Sequence, residues 1–515
     1  MKLFSVPAAL LTAAFSLPVL AQAPDLAQTA GRLRDGAESA RDAAQRINDG
    51  ADRIEAISDD IAALAGLEAP AEDALAASSR ALEQASNEIS VAVGSIYGIV
   101  DQVYAVRMKL APEPAEPEPE AEPEPAPETS AETATPTGPA PDLALSRSIG
   151  RDGITGVQAR LAALADPSPE ERFALAGLTF LQAVEGTLQT RWRVGLSHDL
   201  ADLPLLRLPL PSNPAAEPVT PGIIRDIMAA IPPQMQQARA PLAGLGSDFG
   251  LDIDFADLWF DINANGSRDS GEDLAQIAGQ MFGVGPEAHD GDTTLPVMRF
   301  DLADAAWLSA YTHLLSGSAQ VVLTYDPTDS IARVMETRAA FAALPPGNDG
   351  LASIVDDLWI DTAAAVLFSL RSQPDTAQAQ AAHASFLAMI ADNRIFWQRV
   401  AAETDNTREW IPNDSQQSAT GVALPPETGT AWLAVLDEVE AILKGELLIP
   451  YWRSGGGLNI GRMFTDPRPI DLIDWIQGAG ALPYIETGPL ADGNALNQFN
   501  TLLMGDGVFA ALWLN

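Results

Sequence analysis

Apolar positions recur every seven residues from Leu26 onward. Leu26, Leu33, Ala40, Ile47, Ile54 and Ile61 occupy one seam position, and Ala30, Ala37, Ala44, Ala51, Ser58 and Ala65 the other. Large residues facing alanines at 3-4 spacing make a narrow stripe, the kind that lets two helices approach closely. Arg32, Asp35, Glu38, Arg41, Asp42, Arg46, Asp49 and Asp52 fill the polar face between. The repeat stops at Gly66-Leu67-Glu68-Ala69-Pro70, a helix end followed by a helix start. It resumes with Leu75, Leu82, Ile89, Ile96, Val103 and Leu110 against Ser78, Ala85, Ala92, Ile99 and Val106. Two runs of similar length joined by a short turn predict an antiparallel coiled-coil hairpin over residues 22–110, with arms roughly 60 Å long. Such a stripe allows self-association, or docking to an envelope protein partner.

Beyond residue 142 the apolar spacing is again mostly helical. ADPSPEERFALAGLTFLQAVEGTLQTRW, PGIIRDIMAAIPPQMQQARAPLAGL, LADAAWLSAYTHLLSGSAQVVLTY and GTAWLAVLDEVEAILKG all show 3-4 spacing, with Asp, Ser, Pro or Thr at their starts. Alternating strand patterns are scarce; SAQVVLTYD is the best strand candidate and also fits a helix end. The expected fold is therefore mainly α, with residues 142–515 forming a large helical C-terminal domain. A short echo, Asp257-Leu258-Trp259-Phe260-Asp261 and Asp357-Leu358-Trp359-Ile360-Asp361, raises the question of duplication, although no wider similarity accompanies it.

Residues 111–141 contain ten prolines and eight glutamates and no basic residue. They lack the apolar side chains to build a core and predict a self-repelling, extended, disordered linker. At the other end, residues 1–21, MKLFSVPAALLTAAFSLPVLA, combine Lys2, an apolar run and small residues in the layout of a secretory signal peptide. Cleavage after Ala21 avoids a proline just beyond the cut. A periplasmic or secreted protein with no membrane span after signal cleavage is expected.

Charge narrows the partners. The chain of 515 residues carries 30 Lys+Arg against 70 Asp+Glu, a formal net charge of −40. A surplus of this size repels phosphate backbones and argues against nucleic-acid binding. Cysteine is absent, which excludes disulfides, thiolate metal sites and thiol nucleophiles.

One motif carries a chemical mechanism. In DINANGSRDSGE, residues 261–272, oxygen-bearing side chains fall at alternate positions and a glycine sits at the sixth. A hard cation takes six to eight oxygens, and a tight loop turns alternate residues inward. Glycine permits the positive φ that bends the chain around the ion. The segment resembles the twelve-residue calcium loop of the EF-hand family, over these residues and their flanks only. The resemblance implies Ca2+ as cofactor, held by Asp261, Asn263, Asn265, Ser267 (through its carbonyl), Asp269 and Glu272. Phe255, Leu258, Trp259 and Phe260 form an apolar entry, and EDLAQIAGQMF predicts an exiting helix. Arg268 departs from the family at position 8, where an apolar residue normally packs on a partner loop. A solitary, structural site is therefore expected, with a dissociation constant on the order of 10⁻⁵ to 10⁻³ M.

Catalytic constellations are less legible. His198, His289, His313 and His383 show no metal-ligand spacing, and His313 reads as a hydrogen-bonded structural histidine among the core positions Trp307, Leu308, Tyr311 and Leu315. The block 451–486 gathers Tyr451, Trp452, Arg453, Arg462, Asp466, Arg468, Asp471, Asp474, Trp475, Gln477, Tyr484 and Glu486. Aromatics beside acids suit a carbohydrate cleft, where paired carboxylates serve as acid and base. The same composition suits helix ends packed on a core. The leading expectation is an exported calcium-binding envelope protein with a structural or binding role rather than an enzyme. The alternative is a helical periplasmic hydrolase or lyase acting on polysaccharide through Asp466, Asp471, Asp474 and Glu486.

Overall fold

The computed structural model describes residues 140–196, 208, 210–246, 249–278, 295–344, 357–421 and 424–503. The expected signal peptide and hairpin, and the expected linker up to residue 139, lie outside these residues. Within them the chain is mainly α, with twelve α-helices and five short strands. Among the described residues no helix is long and apolar enough to cross a membrane.

The first helices are α1 (Ala144–Ala162), α2 (Pro169–Arg193) and α3 (Ile223–Arg239). Helix α2 starts where the sequence announces it. Ser168 accepts the Glu171 N–H at 3.3 Å and the Glu171 carboxylate accepts the Ser168 N–H at 2.8 Å, with Pro169 entering behind the cap. Strand β1 (Leu251–Asp254) pairs antiparallel with β2 (Val297–Phe300), from Leu251 opposite Phe300 to Asp254 opposite Val297. The five-residue helix α4 (Leu274–Ala278) lies between them in sequence.

Helix α5 (Leu302–Thr324) and helix α8 (Thr376–Val400) make the most extensive helix pair. Gly317 permits their close approach, since a Cβ there would lie 2.6 Å from the Phe386 ring. Ile390 and Phe396 of α8 are fully buried, each contributing about 1.5–3 kcal/mol of hydrophobic stabilisation. SAQVVLT is helical, not a strand, and Tyr325 caps its end. Leu315, Ser316, Ala319 and Thr324 are buried at helical spacing, so the α8 interface decides the ambiguity. Helices α6 (Thr328–Ala342) and α7 (Asp357–Leu370) pack on each other, with Arg338 paired to Asp361 at 3.0 Å.

The chain then forms α9 (Thr428–Lys444), β3 (Ile449–Pro450), β4 (Gly457–Leu458), α10 (Ile460–Thr465), α11 (Leu472–Gln477), β5 (Ile485–Glu486) and α12 (Asn494–Leu502). Strands β3, β4 and β5 make a small antiparallel sheet. The main core runs from α1 and α2 to α9 and α12 and includes the rings of Phe173, Phe255 and Trp410. The DLW echo does not reproduce a structure. Its first copy leaves the 3-10 turn Phe255–Asp257 and enters the loop, whereas its second opens α7.

Candidate metal site

The approach to the loop is fixed by α1. Ser146 Oγ donates to Asp257 Oδ2 at 2.6 Å and accepts the Asp254 N–H at 3.0 Å. Gly150 leaves the room that Asp257 needs, since a Cβ there would lie 2.8 Å from Oδ1. One helical turn on, Gly153 adopts φ 73 and ψ 169 and kinks α1. The kink interrupts the helical ladder, and the Ile149 carbonyl accepts Trp259 Nε1 at 3.3 Å. Phe255, Leu258, Trp259 and Phe260 are all buried, as the apolar entry predicts.

The two ends of the loop are then zipped together. Trp259 bridges Asp273 in antiparallel fashion, the Phe260 N–H donates to the Glu272 carbonyl at 2.9 Å, and the Leu274 N–H donates to the Leu258 carbonyl at 3.0 Å. Arg268 reinforces the closure by pairing with Asp273 and donating to the Ala256 carbonyl at 2.9 Å. Position 8 thus ties entry to exit instead of packing on a second loop. The exiting helix is α4, which has five described residues.

Between these ends the backbone bends sharply. Ala264 (φ 58) and Gly266 (φ 75) lie in the left-handed region. Asp261 Oδ1 accepts the Asn265 N–H and Oδ2 the Gly266 N–H, both at 2.9 Å. Asn263 Oδ1 accepts the Asn265 N–H at 3.0 Å, and Asn265 Oδ1 accepts the Ser267 N–H at 2.7 Å. Both asparagine amides converge on one oxygen of Asp269, at 2.8 and 2.7 Å. These donors hold the exposed Asp269 carboxyl below its usual pKa. Glu272 closes the turn from inside. It is 1% exposed, its Oε1 accepts the Ile262 and Asn263 N–H groups at 2.9 and 3.3 Å, and its Oε2 accepts the Asp269 N–H at 2.8 Å.

Helix α2 grips the first residue of the loop from both sides. Glu185 Oε2 accepts the Asp261 N–H at 2.9 Å, and Gln189 Nε2 donates to the Asp261 carbonyl at 2.7 Å. Burial pushes the Glu185 carboxyl up, and the nearby Asp261 and Glu272 charges add to the shift. Nothing in the loop's own sequence identifies these two residues; only their i, i+4 spacing on α2 places them on one face.

Asp261, Asn263, Asn265, Asp269 and Glu272 therefore line one bent segment, while Ser267 is exposed at its tip. Among the described residues no three histidine or acidic side chains converge closely enough to hold a metal by themselves. The donor set suited to this loop is instead mixed: carboxylates, two asparagine oxygens and a backbone carbonyl, which a hard oxygen-seeking ion accepts. The residues fit Ca2+ better than a transition metal, because no imidazole or thiolate is at hand.

The remaining candidates separate clearly. His198 and His289 lie outside the described residues. His383 Nε2 meets the Leu443 carbonyl at 2.7 Å, and its ring stacks on Phe464. His313 departs from the expected hydrogen-bonded histidine. Its Nδ1 is buried without a hydrogen-bond partner, its Nε2 is 3.9 Å from Asp392, and burial lowers its pKa. In the block 451–486, Asp471 pairs with Arg371 at 2.7 Å, Asp466 with Arg468 at 3.1 Å and Glu486 with Arg462 at 3.4 Å. Tyr451 and Tyr484 are buried and donate to the Trp475 and Asp466 carbonyls. These acids are engaged by arginines and the two tyrosines brace the backbone.

A second titratable centre was not legible in the sequence. Asp301 caps α5 and Asp304 caps back, its carboxylate accepting the Asp301 N–H at 2.9 Å. Opposite them lie Glu403 and Glu409. Gln416 Nε2 donates to Glu403 at 3.2 Å, and the Thr407 N–H donates to Glu409 at 2.6 Å. Burial, reinforced by the Asp301 charge, pushes Glu403 up to about 8; burial with Asp405 and Asp301 pushes Glu409 up to about 7. Burial drives fully enclosed Asp304 well upward. The acids come from segments about a hundred residues apart, so no local spacing announces them. The chain matches no protein-family model, no curated protein and no solved structure.

Proposed function

We propose that residues 261–272 bind Ca2+ and that the ion steadies the surrounding helical domain of an exported envelope protein whose role is structural or binding. The observation that carries this reading is the closed loop. Asn263 and Asn265 converge on Asp269, Asp261 holds the turn, and Glu272 pins its far end from the interior. Two amide donors meet on one Asp269 oxygen in the bend. A divalent cation would take over the role of the two amide donors there. Asp261, Asn263, Asn265, Asp269, Glu272 and the Ser267 carbonyl would be its donors. Export rests on the sequence of residues 1–21.

The test is thermal unfolding and tryptophan fluorescence of the full chain in Ca2+ and in chelator, with Trp259 next to the loop. At a hundredfold excess over the dissociation constant, Ca2+ is expected to stabilise the protein by about 2.7 kcal/mol. Asp269→Ala is the informative variant. Its carboxylate is exposed and bonded only to the two amides, so the fold survives while the calcium response is lost. Glu272→Gln disturbs backbone donors as well, and is expected to lower stability even in chelator. An Asp269→Ala protein that responds to Ca2+ like the parent overturns the assignment.

A further inference from the structure

Asn265–Gly266 is the only Asn-Gly pair in the chain, and it lies in the bend of the loop. A peptide nitrogen that follows an asparagine can attack the side-chain amide carbon and close a five-membered ring. A side chain on the following residue hinders that attack, and glycine has none. A Cβ built at Gly266 would meet no atom within 4 Å beyond its chain neighbours, so nothing crowds the nitrogen. Both residues are exposed, and water reaches them.

The atoms that would react each have a partner suited to the change. The Gly266 N–H donates to Asp261 Oδ2 at 2.9 Å, which places a carboxylate to take the proton as the nitrogen turns nucleophile. Asn265 Oδ1, where negative charge develops, accepts the Ser267 N–H at 2.7 Å. This bond curls the Asn265 side chain forward along its own backbone. Asn265 Nδ2, the leaving nitrogen, donates to Asp269 Oδ2 at 2.7 Å. Asn263 supplies a contrast within the same loop. It makes the same kind of forward turn and donates to the same Asp269 oxygen. Its following residue is Ala264, however, whose N–H donates to the Asp261 backbone carbonyl at 3.3 Å and not to a carboxylate.

We infer that the metal-free loop modifies itself at Asn265 and that Ca2+ held in the loop prevents this, the second part resting on the calcium assignment above. The Gly266 nitrogen bonds to Asn265 Cγ, its proton passes to Asp261, and the Cγ–Nδ2 bond breaks. Through water the proton reaches the leaving nitrogen, which departs as ammonia and leaves a succinimide. Water then opens the ring, giving aspartate by attack at the side-chain carbonyl and isoaspartate by attack at the backbone carbonyl. Either product sets a carboxylate where an amide donor had faced Asp269, so the contact that closes the turn is lost. In the loaded loop Asp261 and Asn265 Oδ1 are both engaged as donors to the ion, and the reaction loses its base.

The test incubates the full-length protein near neutral pH in chelator and in Ca2+, then sequences the loop peptide by mass spectrometry. In chelator Asn265 is expected to gain the mass of an amide-to-acid exchange while Asn263 stays intact. Ca2+ should slow the conversion about tenfold or more. Asp261→Asn keeps an oxygen acceptor but removes the base, and should slow it in chelator by a similar factor. Conversion no faster at Asn265 than at Asn263 overturns the inference. So does conversion that Asp261→Asn leaves unchanged, or that runs faster in denaturant than in the folded loop, because the arrangement of partners would then contribute nothing. Equal rates in Ca2+ and chelator are resolved by the melting temperature. If Ca2+ still raises it, the ion binds without protecting and the inference falls. If Ca2+ leaves it unchanged, the calcium assignment falls, and the self-modification stands on the Asp261→Asn comparison.

Discussion

Gly153 shows how a single residue sets the loop's approach. At φ 73 and ψ 169 it occupies a region essentially reserved for glycine, and a Cβ would lie 3.1 Å from the Trp259 ring. Gly153→Ala is expected to cost about 1–3 kcal/mol, read by chemical denaturation. The tryptophan emission should shift at the same time, because the contact of Trp259 with the Ile149 carbonyl is disturbed. Unchanged stability would remove Gly153 from the account. The twelve loop residues were legible because their chemistry is local: each oxygen and each turn is set by near neighbours in sequence. Gly153, Glu185 and Gln189 were not: Gln189 and Glu185 on α2 reach Asp261 across 72 and 76 residues, and Ile149 on α1, beside the Gly153 kink, reaches Trp259 across 110. The SIGRDGITG stretch offers three glycines, and periodicity alone does not say which one breaks the helix.

At the scale of elements, the segment 401–421 lies against the start of α5, where like charges meet. The faces that pack here contribute Asp301 and Asp304 from the α5 cap, and Glu403, Asp405 and Glu409 from the segment. Arg299, on β2, is the cation acting on Asp301 and Glu409, while Arg408 is turned to Asp252 at 2.7 Å. Glu403 and Glu409 hold their protons more tightly folded than unfolded. Their contribution is thus complete below about pH 4.5 and is lost as pH rises through about 7 to 8. Stability should fall by roughly 1–2 kcal/mol between pH 5 and 8, allowing for partial solvent screening. Glu403→Gln should flatten that slope in denaturation measured across the range; an unchanged slope would assign it to other groups. Helix positions were readable for α2, α3, α5 and α9 from their 3-4 spacing, and the Ser168 and Asp301 caps also mark the starts of α2 and α5. The strands β1 and β2 escaped notice because four residues give too short an alternation to register. The DLW pentads show the limit plainly, since one sequence serves as loop entry and as helix start according to what surrounds it.

Across the whole molecule, charge imbalance is the dominant electrostatic fact. Seventy acids against 30 bases leave many carboxylates that arginine and lysine cannot neutralise. Raising NaCl from 0.05 to about 0.5 M in the presence of chelator is expected to raise the melting temperature by shortening the range of repulsion. A fall would mean that the ion pairs outweigh the surplus. The grip of α2 on the Asp261 peptide has a consequence for transplantation. Glu185 and Gln189 stand outside the dozen residues that carry the oxygen pattern, yet they hold its first peptide at 2.9 and 2.7 Å. Grafted alone into a foreign scaffold, the segment would arrive without its mooring; a portable version has to bring a stretch of helix with it.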